Sequence, residues 1–433
     1  MTPAARIAAA IDILADFATS PDPVERTIDR WFRTRRFAGS KDRRAVREIV
    51  FSAVRNWGAA AYAADCQDPR MVVATSLLLF DGHDLASLQA LFGADRYAPP
   101  PLEPQEVDRL ASAEQRFAGA PRAARCNYPA WLEPELVLAF GDGIEAEMRA
   151  FMDRASLDLR VNTIKTTLAE AIGALASEGI AAEPTPLSPL GLRCAGEAKV
   201  TQTAAYRDGL VEIQDEASQI AALVVGAKPG ELIVDYCAGA GGKSLAMASV
   251  MVNSGRIIAF DLSAARLGPL GERARRSGAA IIETHGLVDP ATRAVLDDLS
   301  GSADRVLVDA PCSGTGTWRR APDARWKLTP ERLAGYCQAQ SQVLREAAAL
   351  VRPGGRLVYV TCSMLPREND AQVEAFLSQV PGFTRLPADD VWRAAMQSPT
   401  PAGLHTTSAG LLLTPHTTGT DGFFIAVFER DAE

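Results

Sequence analysis

The sequence predicts an α/β protein: a doubly wound, mostly parallel sheet in the C-terminal half, an all-helical N-terminal part, and a small α+β segment between them. Three observations lead there. From about residue 217, short apolar runs alternate with helical runs, the pattern of strands covered on both faces by crossover helices. Residues 233–244, IVDYCAGAGGKS, join an apolar run to a glycine turn and then to a helix-like run, which is how a parallel sheet brings its backbone close to a ligand. Residues 1 to about 120 instead carry apolar positions at helical spacing.

In chain order, helical periodicity runs through 4–18, 24–38, 41–57, 70–80 and 84–92, with turn signals at Ser20-Pro21-Asp22-Pro23, Gly39-Ser40 and Gly82. The Ala-rich start could pass for a signal peptide. Asp12 and Asp16 interrupt it, however, and Ile7, Ala10, Ile11, Leu14 and Phe17 recur at helical spacing, so an amphipathic first helix is expected. The stretch 98–106 is proline-rich and acidic, a connection. A strand is expected within LDLRVNTIK and a helix from about Leu168 to Glu178. The main sheet draws on 232–235, 256–260, 280–283, 305–309, 356–361 and 423–428. Helices are expected at 217–225, 243–252, 264–276, 289–299, 331–351 and 370–379. Gly354-Gly355 reads as the turn before the fifth strand. The stretch 395–422 lacks periodicity and reads as a long loop.

Composition narrows the function. Hydrophobic residues make up 47% and charged residues 23% of 433, a globular balance. No apolar run of about 18 residues exists, so no membrane helix is expected. Seven scattered cysteines without a CxxC pair argue against zinc or any other metal and for reduced thiols in a cytoplasm. A net charge of −8 argues against a wholly basic nucleic-acid binder. The run from Arg30 to Arg47 nevertheless holds Arg30, Arg33, Arg35, Arg36, Lys41, Arg43, Arg44 and Arg47, interleaved with Trp31, Phe32 and Phe37. It is either a solvated helix face or a phosphate-binding patch. Trp318-Arg319-Arg320 is a second such candidate, as a stacking face with cations or as a turn packed on the core.

The glycine turn nearly spells a phosphate loop, but Cys237 stands where the first glycine is needed. Strand 256–260 leads into Asp261, about 20 residues after the turn, where an acid suits a ribose diol. Its bland alternative is an N-cap. Two further strands run into cysteines, through Asp309-Ala310-Pro311-Cys312-Ser313-Gly314 and Thr361-Cys362-Ser363. Ligands sit outside the carboxyl ends of such strands, so both thiols are expected to face the ligand of the glycine turn. A lone free cysteine is usually a small buried hydrophobe; two so placed fit cytosine C5 methylation. There a thiolate adds to C6, C5 attacks a sulfonium methyl group, and the thiolate leaves after C5 loses its proton. A donor-rich pocket must support the thiolate.

VDYCAGAGGKS, DAPCSGTGTWRRAPDARW, VTCSMLPREND and DGFFIAVF together resemble the motifs of the RsmB/NOP/Sun family of RNA (cytosine-C5) methyltransferases. LRVNTIK, SPLGLR and QDEASQ are weaker supports. The resemblance covers roughly 125–430. It implies a Rossmann-like class I methyltransferase domain at 216–433, a small RNA-contacting α+β segment at 126–215 and, more loosely, a NusB-like RNA-binding domain at 1–125. It implies S-adenosyl-L-methionine as cofactor, with Cys237, Ala238, Gly239, Ala240, Gly241, Gly242 and Lys243 around its methionine part. Asp261, with Arg266 beside it, takes the ribose, and Asp309 lies between cofactor and cytosine. Cys362 is the implied nucleophile, Cys312 assists product release, and Lys243 lines the active site. The family's acid near the adenine follows the third strand in a Gly-Asp pair. Here 283–289 reads Glu-Thr-His-Gly-Leu-Val-Asp, which leaves His285, Gly286 or Asp289 for that place. The expectation is therefore a cytoplasmic, monomeric RNA methyltransferase acting on 16S ribosomal RNA. Transfer RNA as substrate, a non-catalytic RNA-binding assembly factor and a phosphate-loop NTPase are the alternatives.

Overall fold

In the computed structural model every residue is described except Arg36, Glu197, Ala402 and Glu433. The chain forms two compact units, Met1–Asp153 with Trp318–Leu328, and Arg154–Thr317 with Thr329–Glu433. The stretch 126–215 is thus divided between them.

The first unit is helical. Its first helix, Pro3–Thr19, is started by the Thr2 side chain, which accepts from the Ala5 N–H, and by Pro3 at a position that needs no donor. Its buried face is Ile7, Ala10, Ile13, Leu14 and Phe17, while Asp12 and Asp16 are exposed. That face packs with Val24, Ile28 and Phe32 of helix Val24–Arg33 and Val46, Val50 and Val54 of helix Ser40–Arg55. The expected extension of the second helix to residue 38 does not form. The helix ends at Arg33 and the chain turns before Gly39.

The aromatics of the basic run divide. Trp31 and Phe32 are in the core and Phe37 is exposed. Arg30 is paired with Asp16 and Asp22, Arg44 with Glu48, and Arg47 with Asp29. Arg35 lies over Trp31 and Arg43 over Phe32. Arg36 is outside the described residues.

Trp318 does not offer a stacking face. It is 1% exposed, with Phe151 edge-on at 6.0 Å and the Arg325 guanidinium 4.9 Å from its ring centre. Its large apolar surface is worth more buried than in water. Arg325 donates to the Asn127 carbonyl at 2.8 Å and Trp326 to the Val54 carbonyl at 2.7 Å. The segment after the Pro-Cys motif therefore serves as core.

The second unit holds two sheets. In the smaller, β1 (Leu157–Val161), β2 (Ala182–Pro184), β3 (Gly191–Cys194) and β4 (Val211–Ile213) lie in the order β2-β3-β1-β4, every neighbour antiparallel. Helix Leu168–Ser177 is opened by a capping box of Thr167 and Glu170.

The larger sheet contains β5 (Leu232–Asp235), β6 (Arg256–Asp261), β7 (Ile282–Gly286), β8 (Ala303–Asp309), β9 (Val351–Thr361), β10 (Phe383–Arg385), β11 (His405–Thr406), β12 (Leu411–Leu413) and β13 (Phe423–Arg430). The order is β11-β12-β13-β9-β8-β5-β6-β7, with β10 on β13. From β7 to β9 all pairs are parallel; β13 runs antiparallel to β9. The strand order reverses between β5 and β8, so a crevice opens outside their carboxyl ends.

Two details differ from expectation. Gly354-Gly355 lies inside β9, beside an irregularity in the β8–β9 register between Ala303 and Arg305, and does not form the turn before the strand. The stretch 395–422 is not one loop. Leu411, Leu412 and Leu413 are all buried in β12, and helix Pro415–Thr418 follows. A three-residue strand is too short to show a period.

Candidate active site

The site grows from the end of β5. Its backbone is tied sideways to both neighbours: Tyr236 N–H donates to the Leu307 carbonyl and Ala238 N–H to the Phe260 carbonyl, each at 2.8 Å. Gly241 (φ +78°) then lets the turn pass directly into helix Gly242–Val250. A Cβ there would sit 2.1 Å from a Leu270 methyl, so both the backbone angle and the close helix approach call for glycine.

Asp261, buried at the end of β6, faces this turn. Its Oδ2 accepts from Gly239 N–H at 3.0 Å and pairs with Arg266 at 3.3 Å; its Oδ1 accepts from Ser263 N–H at 2.9 Å. The acid thus orders both the glycine turn and the start of helix Ala264–Ser277, in which Ser263 is the capping position. Of the three adenine candidates, His285 stacks obliquely on Phe260 at 5.6 Å, the Gly286 carbonyl accepts from the Thr292 hydroxyl, and the Asp289 carboxylate accepts from Ala291 N–H.

The first helical turn supplies Lys243, 7% exposed. Its Nζ pairs with Asp309 Oδ2 at 2.6 Å and lies 5.2 Å from the centre of the Phe423 ring. Ser244 donates to Asp235 Oδ2 at 2.6 Å, while Asp235 Oδ1 is buried with no protein partner. Burial pushes the Asp235 carboxyl up to about 7; the Ser244 hydrogen bond opposes this, nearby Asp309 adds to it, and Lys243 lowers it. Burial likewise pushes the Cys237 thiol up, with Asp235, Asp309 and Asp261 adding to the rise. Cys237 is accordingly a neutral thiol in the wall of the turn.

The raised Asp235 value has a stability consequence. The folded group keeps its proton to about pH 7 and the unfolded one releases it near 3.8. Its contribution is therefore fully present below pH 4 and is lost as pH rises to about 7. A tenfold difference in proton affinity between the folded and unfolded states corresponds to ~1.4 kcal/mol. The stability of the wild type relative to Asp235→Asn is expected to fall by about 2–3 kcal/mol between pH 5 and pH 8, measured by urea unfolding. An equal slope in both proteins would mean that Asp235 ionises as an ordinary surface carboxylate.

The two cysteines come from the ends of adjacent parallel strands, β8 and β9, and their Sγ atoms are 3.3 Å apart. The thiol–thiol hydrogen bond and burial push the Cys312 thiol well up. Ala310 N–H donates to the Val360 carbonyl and Gly316 N–H to the Cys362 carbonyl, each at 2.9 Å, and Gly422 N–H donates to the Gly316 carbonyl at 2.7 Å. A Cβ on Gly316 would stand 2.1 Å from the Gly422 carbonyl oxygen. The glycines of GTG and DGFF thus serve close backbone contact.

The candidate residues therefore assemble as three groups: Gly239 with Asp261 and Arg266, Lys243 with Asp309, and Cys312 with Cys362. Sequence reasoning missed Asp235, Ser244, Arg160 and Glu368. Arg160, in the LRVN stretch, is 2% exposed and donates to Gln214 Oε1 at 2.6 Å and to the Gly242 carbonyl at 2.8 Å. It ties the smaller sheet to the glycine turn. A charged residue inside a short strand was the available signal.

Asp261 and Asp309 pair with Arg266 and Lys243, and Asp235 is protonated below about pH 7, so the glycine turn carries no excess positive charge for a triphosphate. Among the described residues no group of three or more His, Cys, Asp or Glu side chains is placed to hold a metal ion, and no helix is long and apolar enough to cross a membrane.

Comparison with known proteins agrees with this architecture. The family model described as 16S rRNA methyltransferase RsmB/F matches residues 222–429, and that of the RsmF/B-like ferredoxin-like domain matches 128–201. The probable ribosomal RNA small subunit methyltransferase B of Bacillus subtilis is 35% identical over 309 residues, 71% of this chain and 67% of that protein. The crystal structure of PH0851 superposes with a TM-score of 0.75 at 26% identity and covers 99% of both chains. A methyltransferase homologue from Pyrococcus horikoshii gives 0.59 at 25% identity, over 71% of this chain and 97% of that one. With the family model spanning the strands that carry both cysteines, and with a relative at this identity matched over two thirds of its length, the chain belongs to the RsmB/F family of 16S rRNA methyltransferases.

Proposed function

We propose that this methyltransferase modifies C5 of a cytosine in 16S ribosomal RNA, with Cys362 as the covalent nucleophile and S-adenosyl-L-methionine as the methyl donor, and that it acts as a cytoplasmic monomer. The observation that carries the reading is the contact of two thiols at the ends of β8 and β9, with Cys312 three residues beyond the Asp309 that pairs with Lys243. When bound, the cofactor supplies an electrophilic methyl group on a cationic sulfonium. The backbone of 237–243 would hold its methionine part, Asp261 and Arg266 would take the ribose, and Asp309 would face both the cofactor and the base.

The Cys362 thiolate adds to C6 of cytosine, which makes C5 the nucleophile. C5 of the adduct would then take the methyl group that the bound cofactor supplies. Solvent water takes the C5 proton as the C6–Sγ bond breaks, which restores the aromatic ring and the thiolate. Cys312, held protonated against Cys362, takes part in that release. Lys243, held in place by Asp309, serves the polar edge of the base. The target base has to leave its stack, since C6 attack needs the ring face. The NusB-like helical unit supplies phosphate contacts through the exposed cations of the basic run, Arg33 and Lys41 among them, with steep salt dependence.

The test is transfer of labelled methyl from S-adenosylmethionine to purified small-subunit ribosomal RNA and, in parallel, to transfer RNA, followed by bisulfite sequencing of the labelled species. A single protected cytosine in 16S RNA supports the reading. Label in transfer RNA alone moves the substrate, and no label in either favours an assembly factor. Thermal stabilisation by ATP with magnesium but not by S-adenosylhomocysteine would point to the NTPase alternative.

A further inference from the structure

Glu368 has no part in the chemistry above, yet it is the hub beneath both cysteines. Its side chain is wholly buried, between β9 and helix Asp370–Gln379. One carboxylate oxygen accepts from Ser313 N–H at 2.8 Å and from Gln340 Nε2 at 3.0 Å. The other accepts from the hydroxyls of Ser313 and Ser363. Ser313 follows Cys312 directly and Ser363 follows Cys362 directly. One carboxylate therefore binds the neighbour of each cysteine.

The surroundings reinforce the arrangement. The Tyr359 hydroxyl donates to the Glu368 carbonyl at 2.6 Å, Asn369 donates to the Ser363 carbonyl at 2.9 Å, and Thr315 Oγ1 accepts from Met364 N–H at 2.8 Å. A buried carboxylate is tolerated only when its lone pairs are filled, and here neutral donors fill them. Like charge disfavours ionisation of a neighbour, and Glu368 acts on the Cys312 thiol in that direction. The titratable groups that bear on Cys312 are Cys362 at the end of β9 and Glu368 before the following helix; Tyr359 on β9 and Cys337 on helix Pro330–Ala348 complete the cluster. Lys243 and Asp309, on helix Gly242–Val250 and at the end of β8, neutralise each other.

We infer that Glu368 is the positioning residue of the two-cysteine site: its carboxylate locks the Ser313 and Ser363 turns together so that the thiols stay in contact, and it sets an acidic side chain beside Cys312. The division of labour between the thiols, one to attack and one to hold a proton, then rests on this third residue. The inference deepens the proposed function, on which its catalytic meaning depends.

The test reads the thiols directly, without RNA or cofactor. Full-length wild type, Glu368→Gln and Glu368→Asp are alkylated with iodoacetamide from pH 6 to 10, and Cys312 and Cys362 labelling is counted by peptide mass spectrometry. Glu368→Gln is expected to move the Cys312 midpoint down by about one pH unit, while Glu368→Asp, which keeps the charge, leaves it near the wild-type value. A Cys312 midpoint that is the same in all three proteins overturns the inference. So does a downward shift of equal size in Glu368→Asp, which would mark loosened packing. If Glu368→Gln does not fold, all seven cysteines label alike, and Glu368→Asp then decides: a wild-type midpoint with diamide-driven Cys312–Cys362 disulfide formation slowed about tenfold supports positioning, and an unaltered rate overturns it. Absence of methyl transfer by the wild type would refute the proposed function and leave the labelling result readable.

Discussion

Cys362→Ala is expected to abolish methyl transfer, with turnover reduced on the order of a thousandfold or more. C5 of cytosine is not nucleophilic enough to attack a methyl group until C6 is saturated, and alanine cannot add to C6. Positioning of RNA and cofactor survives, because the Cys362 backbone carbonyl still accepts from Gly316 N–H and the Ser363 and Glu368 contacts do not involve the thiol. RNA affinity and melting temperature should therefore stay close to wild type while the label is lost. The measurement is initial rate with labelled cofactor, alongside filter binding of RNA. Turnover within tenfold of wild type would remove Cys362 from the nucleophile's role.

Cys312→Ala is expected to fail later in the cycle. On the proposed roles attack and methylation need only Cys362, so a covalent protein–RNA species is expected to accumulate and appear as a shifted band on a denaturing gel. Steady-state turnover falls by about a hundredfold. The physical basis is the raised pKa of Cys312, which keeps a proton 3.3 Å from the sulfur that has to leave. The band should carry label from the cofactor and vanish on adding Cys362→Ala to the same chain. A shifted band in Cys362→Ala but not in Cys312→Ala would exchange the two roles.

These expectations came from positions that could be read without coordinates, because strand, turn and helix patterns are local. Apolar runs of four to seven residues that end in Asp235, Asp261, Asp309 and Thr361 reveal a parallel sheet, and the chemistry of such a sheet gathers at its carboxyl ends. Errors fell where local signals are short or ambiguous. β12 is three leucines long, too few for any period. Gly354-Gly355 is as consistent with an irregular strand as with a turn. Trp318 beside two arginines has the composition of an RNA contact, and only its packing against Phe151 and Arg325 assigns it to the core.

By itself, the sequence determined the fold class, the order of helices and strands around the glycine turn, and which residues stand at the ends of β5, β6, β8 and β9. Those properties are set by side-chain periodicity and turn chemistry within about a dozen residues of chain. Only the tertiary structure decided what those residues do to each other. It brought Lys243 to Asp309 across 66 positions, set Cys312 against Cys362 across 50, and buried Asp235 and Glu368, whose ionisation and hydrogen bonding depend on neighbours remote in sequence. Burial and electrostatic coupling are properties of three-dimensional proximity, and no local pattern along the chain encodes them.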